Sequence, residues 1–97
     1  MIVRVSEALV VSGMLDEFLV ALRELVEGFP AANPGLISHE VLVDLEHGDR
    51  VQYVSRWRGV DDLIAYAGPG WEHDAVTFPG ERRFLQQPLS LRHFEAS

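Results

Sequence analysis

The chain contains no cysteine among its 97 residues. This absence excludes disulfide bonds, thiolate nucleophiles, cysteine-ligated zinc and iron–sulfur clusters, because all of them need the cysteine sulfur. No two histidines stand two or four residues apart, so no local pair of imidazoles marks a metal site. We therefore expect a protein without a bound metal or organic cofactor.

Basic residues and long hydrophobic runs are also scarce. The chain has 8 Lys and Arg against 15 Asp and Glu, and this net charge of −7 repels phosphate backbones and anionic lipid headgroups. The apolar run at residues 8–11 ends at Ser12, far short of the ~20 residues that a membrane span needs. Arg4 and Glu7 would interrupt the core of a signal peptide. We therefore expect a cytoplasmic protein that binds neither nucleic acid nor a membrane.

The chain does have enough hydrophobic sequence for one small folded domain. Hydrophobic residues make up 47% of the positions, which is too high a share for a disordered tail. A single core usually serves roughly 100 to 150 residues, and no linker or repeat divides this sequence. We expect one domain over residues 1–97, which is small enough to gain stability from self-association.

The spacing of the hydrophobic residues predicts six elements. The steps of three and four residues between Leu15, Phe18 and Leu22 are typical of a helix with one apolar stripe. Gly28 ends that helix, and Pro30 is expected to keep it from continuing. Alternation at period two marks the strands. The predicted order is a strand over 2–11, a helix over 14–28, strands over 36–45 and 51–57, a helix over 59–67 and a strand over 89–95.

The βαββαβ order predicts a ferredoxin-like α+β fold, with a four-stranded antiparallel sheet and helices on one face. Two helices can cover one face only, yet the first two strands carry apolar residues on both sides. The second face of the sheet therefore needs another cover, and the simplest cover is a copy of itself. We expect a homodimer that forms through this sheet face.

Five short stretches carry a family resemblance. They are residues 16–18 (DEF) at the start of the first helix, 34–42 (PGLISHEVL) entering the second strand, 54–57 (VSRW) closing the third, 66–68 (YAG) ending the second helix and 93–95 (HFE) near the C-terminus. In this order they resemble the antibiotic biosynthesis monooxygenase (ABM) family over nearly the whole chain. The resemblance implies a dimeric α+β barrel in which each subunit has a cavity between its sheet and its helices.

The same resemblance implies an activity. Cofactor-free members of the family use oxygen to oxidise phenolic or quinol-type molecules. The carbanion of the substrate is taken to reduce oxygen, so the protein has to enclose an apolar ring and steer protons. The implied function is a cofactor-independent monooxygenase that acts on a small aromatic or quinol-like molecule. The alternative is a binding or regulatory dimer with the same cavity and no chemistry.

The haem-degrading branch of the family does not fit this sequence. That branch has an Asn in the first strand, a Trp in the second helix and a haem-ligating His about three turns further on. Here Ser6 and Glu7 occupy that region of the first strand, and Tyr66 stands where the Trp would be. The ligand position falls near residues 75–76, and His73 comes too early to face the same way. Haem degradation is therefore disfavoured.

Four aromatic residues are the candidate substrate-binding residues. Trp57 and Tyr66 bracket the second helix, and Trp71 and Phe78 lie in the irregular segment that follows it. A segment with glycine and few core contacts can act as a lid. We expect these four side chains to wall the cavity. The alternative is that they fill a solid core, as aromatic residues often do.

Two histidines are the candidate catalytic bases, because imidazole titrates near neutral pH. His39 lies on an otherwise apolar strand side, and His73 lies between Glu72 and Asp74. The alternatives are a His39 paired to a neighbour inside the core and a His73 that is merely solvated. An arginine could hold a substrate oxyanion in the cavity, and the candidates are Arg56, Arg58, Arg82 and Arg83. The alternative is that these arginines form ion pairs with acidic residues.

Overall fold

Four strands form one antiparallel sheet in the computed structural model, which describes residues 1–97. The elements are β1 (Ile2–Leu9), α1 (Leu15–Glu27), α2 (Phe29–Ala32), β2 (Leu36–Val43), β3 (Arg50–Trp57), α3 (Val60–Ala67), a 3-10 helix (Glu81–Phe84) and β4 (Ser90–Glu95). The strand order across the sheet is β2-β3-β1-β4, with every neighbouring pair antiparallel. The predicted ferredoxin-like fold is confirmed.

The hydrophobic core lies between one face of the sheet and the helices. The apolar stripe of α1 places Phe18, Leu22 and Val26 in this core, as its spacing predicted. Val51 and Tyr53, two residues apart on β3, belong to the same cluster. Burial of a side chain of this size stabilises the folded state by about 1.5–3 kcal/mol relative to leaving it in water.

The other face of the sheet, which we call the open sheet face, has no helix against it. Side chains alternate along a strand, so the burial of Arg4 and Ala8 on the core side places Val3 and Val5 on the open sheet face. The register continues this face across the other strands. Its apolar members are Val3, Val5, Leu9, Leu42, Val54 and Phe94, and its charged members include Glu7, Glu40, Arg56 and Arg92.

An additional short helix, α2, follows α1 at the point where the sequence predicted that the helical segment stops. Gly28 has a helical backbone (φ −80°, ψ −9°) rather than a left-handed one, so the chain continues into α2. Pro30 lies in the first turn of α2, where its missing N–H would have no partner anyway. The longest helix, α1, has 13 residues, and no helix combines the length and hydropathy needed to cross a membrane.

Two strands, β1 and β2, end two residues earlier than predicted. β2 ends at Val43, because the Asp44 carboxylate accepts hydrogen bonds from the backbone N–H groups of Glu46 and His47 and starts the turn early. β1 ends at Leu9, and Val10 forms only an isolated bridge with Leu85.

The start of β2 is also irregular. A shift of register between Leu36 and Ser38 leaves Ile37 53% exposed, although a regular strand would put Ile37 on the same side as the half-buried His39.

Candidate functional site

A small cavity lies between the core side of the sheet and α1. Its volume is about 20 Å³, and 13 of its 16 lining residues are hydrophobic. β1 contributes Arg4 and Ser6, α1 contributes Phe18 and Leu22, and α3 contributes Tyr66. A cavity of this volume has room for about one water molecule. An aromatic ring can therefore enter only after part of the wall moves.

Arg4 is a buried cation on the wall of this cavity, with 3% of its surface exposed. Its Nη1 donates a hydrogen bond to the backbone oxygen of Trp71 (2.6 Å), and its Nη2 donates to the backbone oxygen of Asp74 (2.7 Å). Nη1 also lies 3.1 Å from Nε2 of His93. Burial lowers the pKa of Arg4. No carboxylate pairs with this guanidinium, and three of its five N–H donors are used.

The contacts of Arg4 tie an irregular segment to the sheet. We call residues 68–80 the cover segment, because Ala75 and Val76 in it line the cavity. Its first half is a turn in which Gly70 O accepts hydrogen bonds from the N–H groups of His73 and Asp74. Arg4 therefore supplies two of the hydrogen bonds that hold this turn against β1.

Sequence reasoning missed Arg4 as a site residue. The arginines that it considered, Arg56, Arg58, Arg82 and Arg83, all have exposed side chains. Arg58 instead forms an exposed ion pair with Asp62 at 2.8 Å. The signal that could have found Arg4 is its place between Ile2 and Ala8 on the core side of a strand, where a charge is rare without a partner.

Glu81 is a buried carboxyl group that lines the same cavity and has 4% of its surface exposed. Gly80 has a left-handed backbone (φ 76°), which turns the chain into the 3-10 helix that begins at Glu81. The Oε1 atom of Glu81 accepts a hydrogen bond from the backbone N–H of Phe78 (3.2 Å). Burial raises the pKa of Glu81. The sequence around it is typical of a surface turn, so no local pattern marks this burial.

Tyr66 is another polar side chain of the cavity, and the sequence predicted it as a site residue. Its ring lies 5.8 Å from the Cζ atom of Arg4 and packs on Trp57 with 4.6 Å between ring centroids. Burial raises the pKa of Tyr66 to about 12; the positive charge of Arg4 opposes this rise, and the negative charge of Glu81 adds to it. The Tyr66 phenol is therefore protonated at neutral pH.

The other three predicted aromatic residues lie around the cavity without lining it. Trp57 has no exposed surface, and its Nε1 donates a hydrogen bond to the Ser55 hydroxyl (2.9 Å). Phe78 belongs to the hydrophobic core, where its ring lies 5.8 Å from that of Phe18. Trp71 packs edge-on against His93 with 4.8 Å between centroids, and its backbone oxygen binds Arg4.

Neither predicted histidine lies on the wall of the cavity. His39 is half-buried at the edge of the sheet, and its Nδ1 forms a hydrogen bond of 2.7 Å with the Tyr53 hydroxyl. His73 is exposed in the cover segment. The structure therefore brings Tyr66 together with Arg4 and Glu81, and it keeps both imidazoles outside this group. No three His, Asp or Glu side chains converge where they could hold a metal ion.

Comparisons with known proteins place the chain among small ferredoxin-like proteins. The family model described as antibiotic biosynthesis monooxygenase matches residues 1–68. A crystal structure of an antibiotic biosynthesis monooxygenase is similar to the whole chain, with a TM-score of 0.76 at 16% identity, over 100% of this chain and 99% of that one. No curated protein matches the chain in sequence.

Two further solved structures have the same fold. A conserved protein from Methanosarcina mazei Go1 has a TM-score of 0.79 at 17% identity, over 99% of this chain and 92% of that one. A protein from Pseudomonas aeruginosa has a TM-score of 0.74 at 15% identity, over 99% and 93% of the two chains. At such identities the likeness is one of fold.

Proposed function

Because this chain belongs to the antibiotic biosynthesis monooxygenase family, we propose that it is a cofactor-independent monooxygenase that oxidises a small aromatic or quinol-like molecule with oxygen. The observation that carries the proposal is the lining of the cavity, in which hydrophobic side chains surround one buried cation and one buried carboxyl group. Apolar walls with a few fixed polar groups are the usual composition of a site for a small organic ligand.

The proposed reaction can be written for a ring ketone with a methylene group next to its aromatic rings. Loss of a proton from the methylene carbon leaves an enolate, whose electrons reduce oxygen and form a bond from carbon to oxygen. The second oxygen atom leaves as water, so the methylene carbon becomes a carbonyl carbon. One oxygen molecule and one methylene group are consumed for each carbonyl group and water molecule that form.

Arg4 has the position to stabilise the charge of such an enolate. Its guanidinium is held by backbone oxygens rather than by a carboxylate, so its positive charge is not neutralised by an ion pair. Two of its donors are free for a substrate oxygen. A fixed donor in a water-poor cavity stabilises developing charge more strongly than the same donor in water.

Entry of the substrate requires movement of the cover segment. The cavity now accommodates about one water molecule, whereas an aromatic ring needs several times that volume. Ala75 and Val76 form part of the wall from irregular backbone, and such backbone opens at lower cost than the sheet. We propose that the segment swings away from β1 to admit the ring and then closes over it.

Oxygen uptake tests the proposal. A panel of hydroquinones and anthrones is incubated with the purified chain, and oxygen consumption is followed with an electrode. Ala75→Trp, which fills the cavity, is expected to abolish uptake. Thr77→Trp, at an exposed position of the same segment, is the matched control and is expected to retain it. Uptake that survives Ala75→Trp would place the reaction elsewhere on the molecule.

A second outcome of that experiment would favour the non-catalytic alternative. If the wild-type chain consumes no oxygen above the buffer rate but binds the same molecules, it is a small-molecule-binding protein with this fold. Tryptophan fluorescence can follow such binding, since Trp57 packs on Tyr66 of the cavity wall.

The open sheet face is the proposed site of a second copy of the chain. Phe94 and Leu42 on this face are 47% and 42% exposed. Glu7, Glu40, Arg56 and Arg92 surround the apolar residues with both signs of charge, so two identical faces can match each other around a twofold axis. Only 16 of 97 residues are buried in the single chain, so a partner would add substantially to the buried apolar surface.

A further inference from the structure

The buried carboxyl group of Glu81 needs an explanation beyond its local hydrogen bond. Transfer of an ionised carboxylate from water to an apolar site is unfavourable unless a cation pairs with it. No cation pairs with Glu81. Its one hydrogen bond, from Phe78 N–H to Oε1, uses a single oxygen. An uncharged glutamine could accept the same hydrogen bond at the same position. The negative charge is therefore not needed for this contact.

The ionisable groups of the cavity single out Glu81 as the one base. Among the lining residues only Arg4, Tyr53, Tyr66 and Glu81 ionise. A guanidinium cannot accept a proton. Burial raises the pKa of Tyr53 and of Tyr66, so both phenols already hold their protons at neutral pH. Both predicted imidazole bases, His39 and His73, lie off the cavity wall.

We infer that Glu81 is the general base of the cavity, which removes the methylene proton of the substrate. This inference rests on the proposed function, because it assigns the proton transfer that precedes the reaction with oxygen. Glu81 and Arg4 then act as a pair. The carboxylate takes the proton, and the guanidinium stabilises the charge that the proton leaves behind.

The step balances without any further reagent. A C–H bond of the methylene group breaks, and its proton forms an O–H bond with the Glu81 carboxylate. The electron pair stays on the substrate and is delocalised onto the ketone oxygen beside Arg4. In the absence of oxygen the enolate takes a proton back from Glu81, which exchanges with solvent between two such events.

Hydrogen–deuterium exchange measures this step apart from oxidation. Anthrone is the probe, in D2O under nitrogen, and loss of its methylene proton signal is followed by NMR. The wild-type chain is expected to accelerate the exchange over buffer. Glu81→Gln keeps an acceptor for Phe78 N–H and is expected to reduce the enzymatic rate by ~10²–10⁴. Glu24→Gln, at an exposed position of α1, is the control and is expected to exchange like the wild type.

The outcomes separate this inference from the proposed function. If Glu81→Gln exchanges anthrone as fast as the wild type, or if the wild type exchanges no faster than buffer, Glu81 is not the base. Oxygen uptake unchanged in Glu81→Gln would leave the monooxygenase proposal standing. Conversely, exchange that depends on Glu81 in a chain that consumes no oxygen would support the base and overturn the monooxygenase.

A second measurement does not depend on the folding of any variant. Burial raises the pKa of Glu81, so the exchange rate of the wild-type chain is expected to rise with pH above the ordinary titration range of a glutamate and then level off. The ionisable groups that share the cavity are Arg4 on β1, Tyr53 on β3 and Tyr66 on α3, and none of them titrates in that range. His93 on β4 contacts Arg4 and does titrate in the acidic range, so His93→Gln is measured as well and is expected to keep the pH profile of the wild type. A rate that rises in proportion to hydroxide throughout would overturn the inference.

Discussion

Arg4 and His93 are register partners across β1 and β4, and Nη1 of Arg4 lies 3.1 Å from Nε2 of His93. A guanidinium can only donate, so Nε2 is the acceptor and the imidazole is neutral with its proton on Nδ1. Burial lowers the pKa of His93, and the positive charge of Arg4 lowers it further. Protonation of His93 would bring two cations together at the edge of the cover segment.

The first prediction follows from this contact and concerns stability against pH. The folded state disfavours protonated His93, so the pKa of His93 is lower in the folded chain than in the unfolded chain, where it is about 6.5. At a pH between these two values the unfolded chain therefore binds more protons than the folded chain. The contribution of His93 to the free energy of unfolding is therefore complete above about pH 6.5 and is lost as the pH falls through the lowered pKa. Urea titrations over this range are expected to show the decrease.

A matched variant isolates the effect of His93 from that of the many carboxylates. His93→Gln keeps an acceptor for Arg4 but does not titrate, so its stability is expected to decline less than that of the wild type on acidification. His47→Gln, at an exposed position of the β2–β3 turn, is expected to follow the wild type. Parallel pH curves for the wild type and His93→Gln would refute the assignment.

The second prediction concerns the hydrogen bonds that Arg4 donates to the cover segment. Arg4→Met removes the two hydrogen bonds to the oxygens of Trp71 and Asp74, and a bond from a charged donor contributes about 1.5–3 kcal/mol. Because two such bonds are lost, the free energy of unfolding is expected to fall by about 3–6 kcal/mol. Amide exchange is expected to become faster in residues 71–76. Arg58→Met, which breaks only the exposed pair with Asp62, is expected to lower the free energy of unfolding far less than Arg4→Met does. Equal losses in both variants would contradict this role of Arg4.

The third prediction separates the two histidines that the sequence put forward as bases. His39→Ala removes the 2.7 Å hydrogen bond to the Tyr53 hydroxyl and is expected to lower the free energy of unfolding by about 1 kcal/mol. His73→Ala, at an exposed position, is expected to change it by no more than about 0.5 kcal/mol. Since neither ring lines the cavity, each variant should keep the wild-type rate of anthrone exchange. A hundredfold loss of that rate in either variant would return the role of base to an imidazole.

The fourth prediction concerns the open sheet face. Sedimentation at micromolar concentration is expected to give twice the chain mass of 10.9 kDa. Val5→Glu places a carboxylate in the middle of that face, where its neighbour Arg92 can pair with it in the single chain, and is expected to produce monomers. Val20→Glu, at a position of α1 that is 56% exposed, is the control and is expected to sediment as the wild type does. A wild-type chain of 10.9 kDa would contradict the proposed dimer.

The strand and helix order was predictable because each element needs only its own hydrophobic period. The stripe of Phe18, Leu22 and Val26 defines α1 without reference to any other part of the chain. The shift of register between Leu36 and Ser38 was not predictable, because it depends on how β2 pairs with β3. The early end of β2 depends on a single carboxylate, Asp44, whose hydrogen bonds form only in the folded turn.

The site was less predictable than the fold, because its polar members come from distant parts of the sequence. Tyr66 stood out as an aromatic residue beside a glycine break, and it does line the cavity. Arg4 and Glu81 are 77 positions apart. The strand position of Arg4 is unusual for a charge, but the local sequence of Glu81 resembles an ordinary surface turn. Tertiary folding brings the two residues to one cavity, and no local pattern predicts that they meet.

The cavity is built from two parts of the chain. Phe18, Leu22 and Tyr66 belong to residues 1–68, which match the family, whereas Ala75 and Glu81 belong to the stretch beyond them, which holds the cover segment and the 3-10 helix. Substitutions in that stretch can change the shape and polarity of the cavity without disturbing the pairing of β1 with β3. The choice of ligand can therefore be altered at Ala75, Val76 and Glu81 while the pairing of the strands stays as it is.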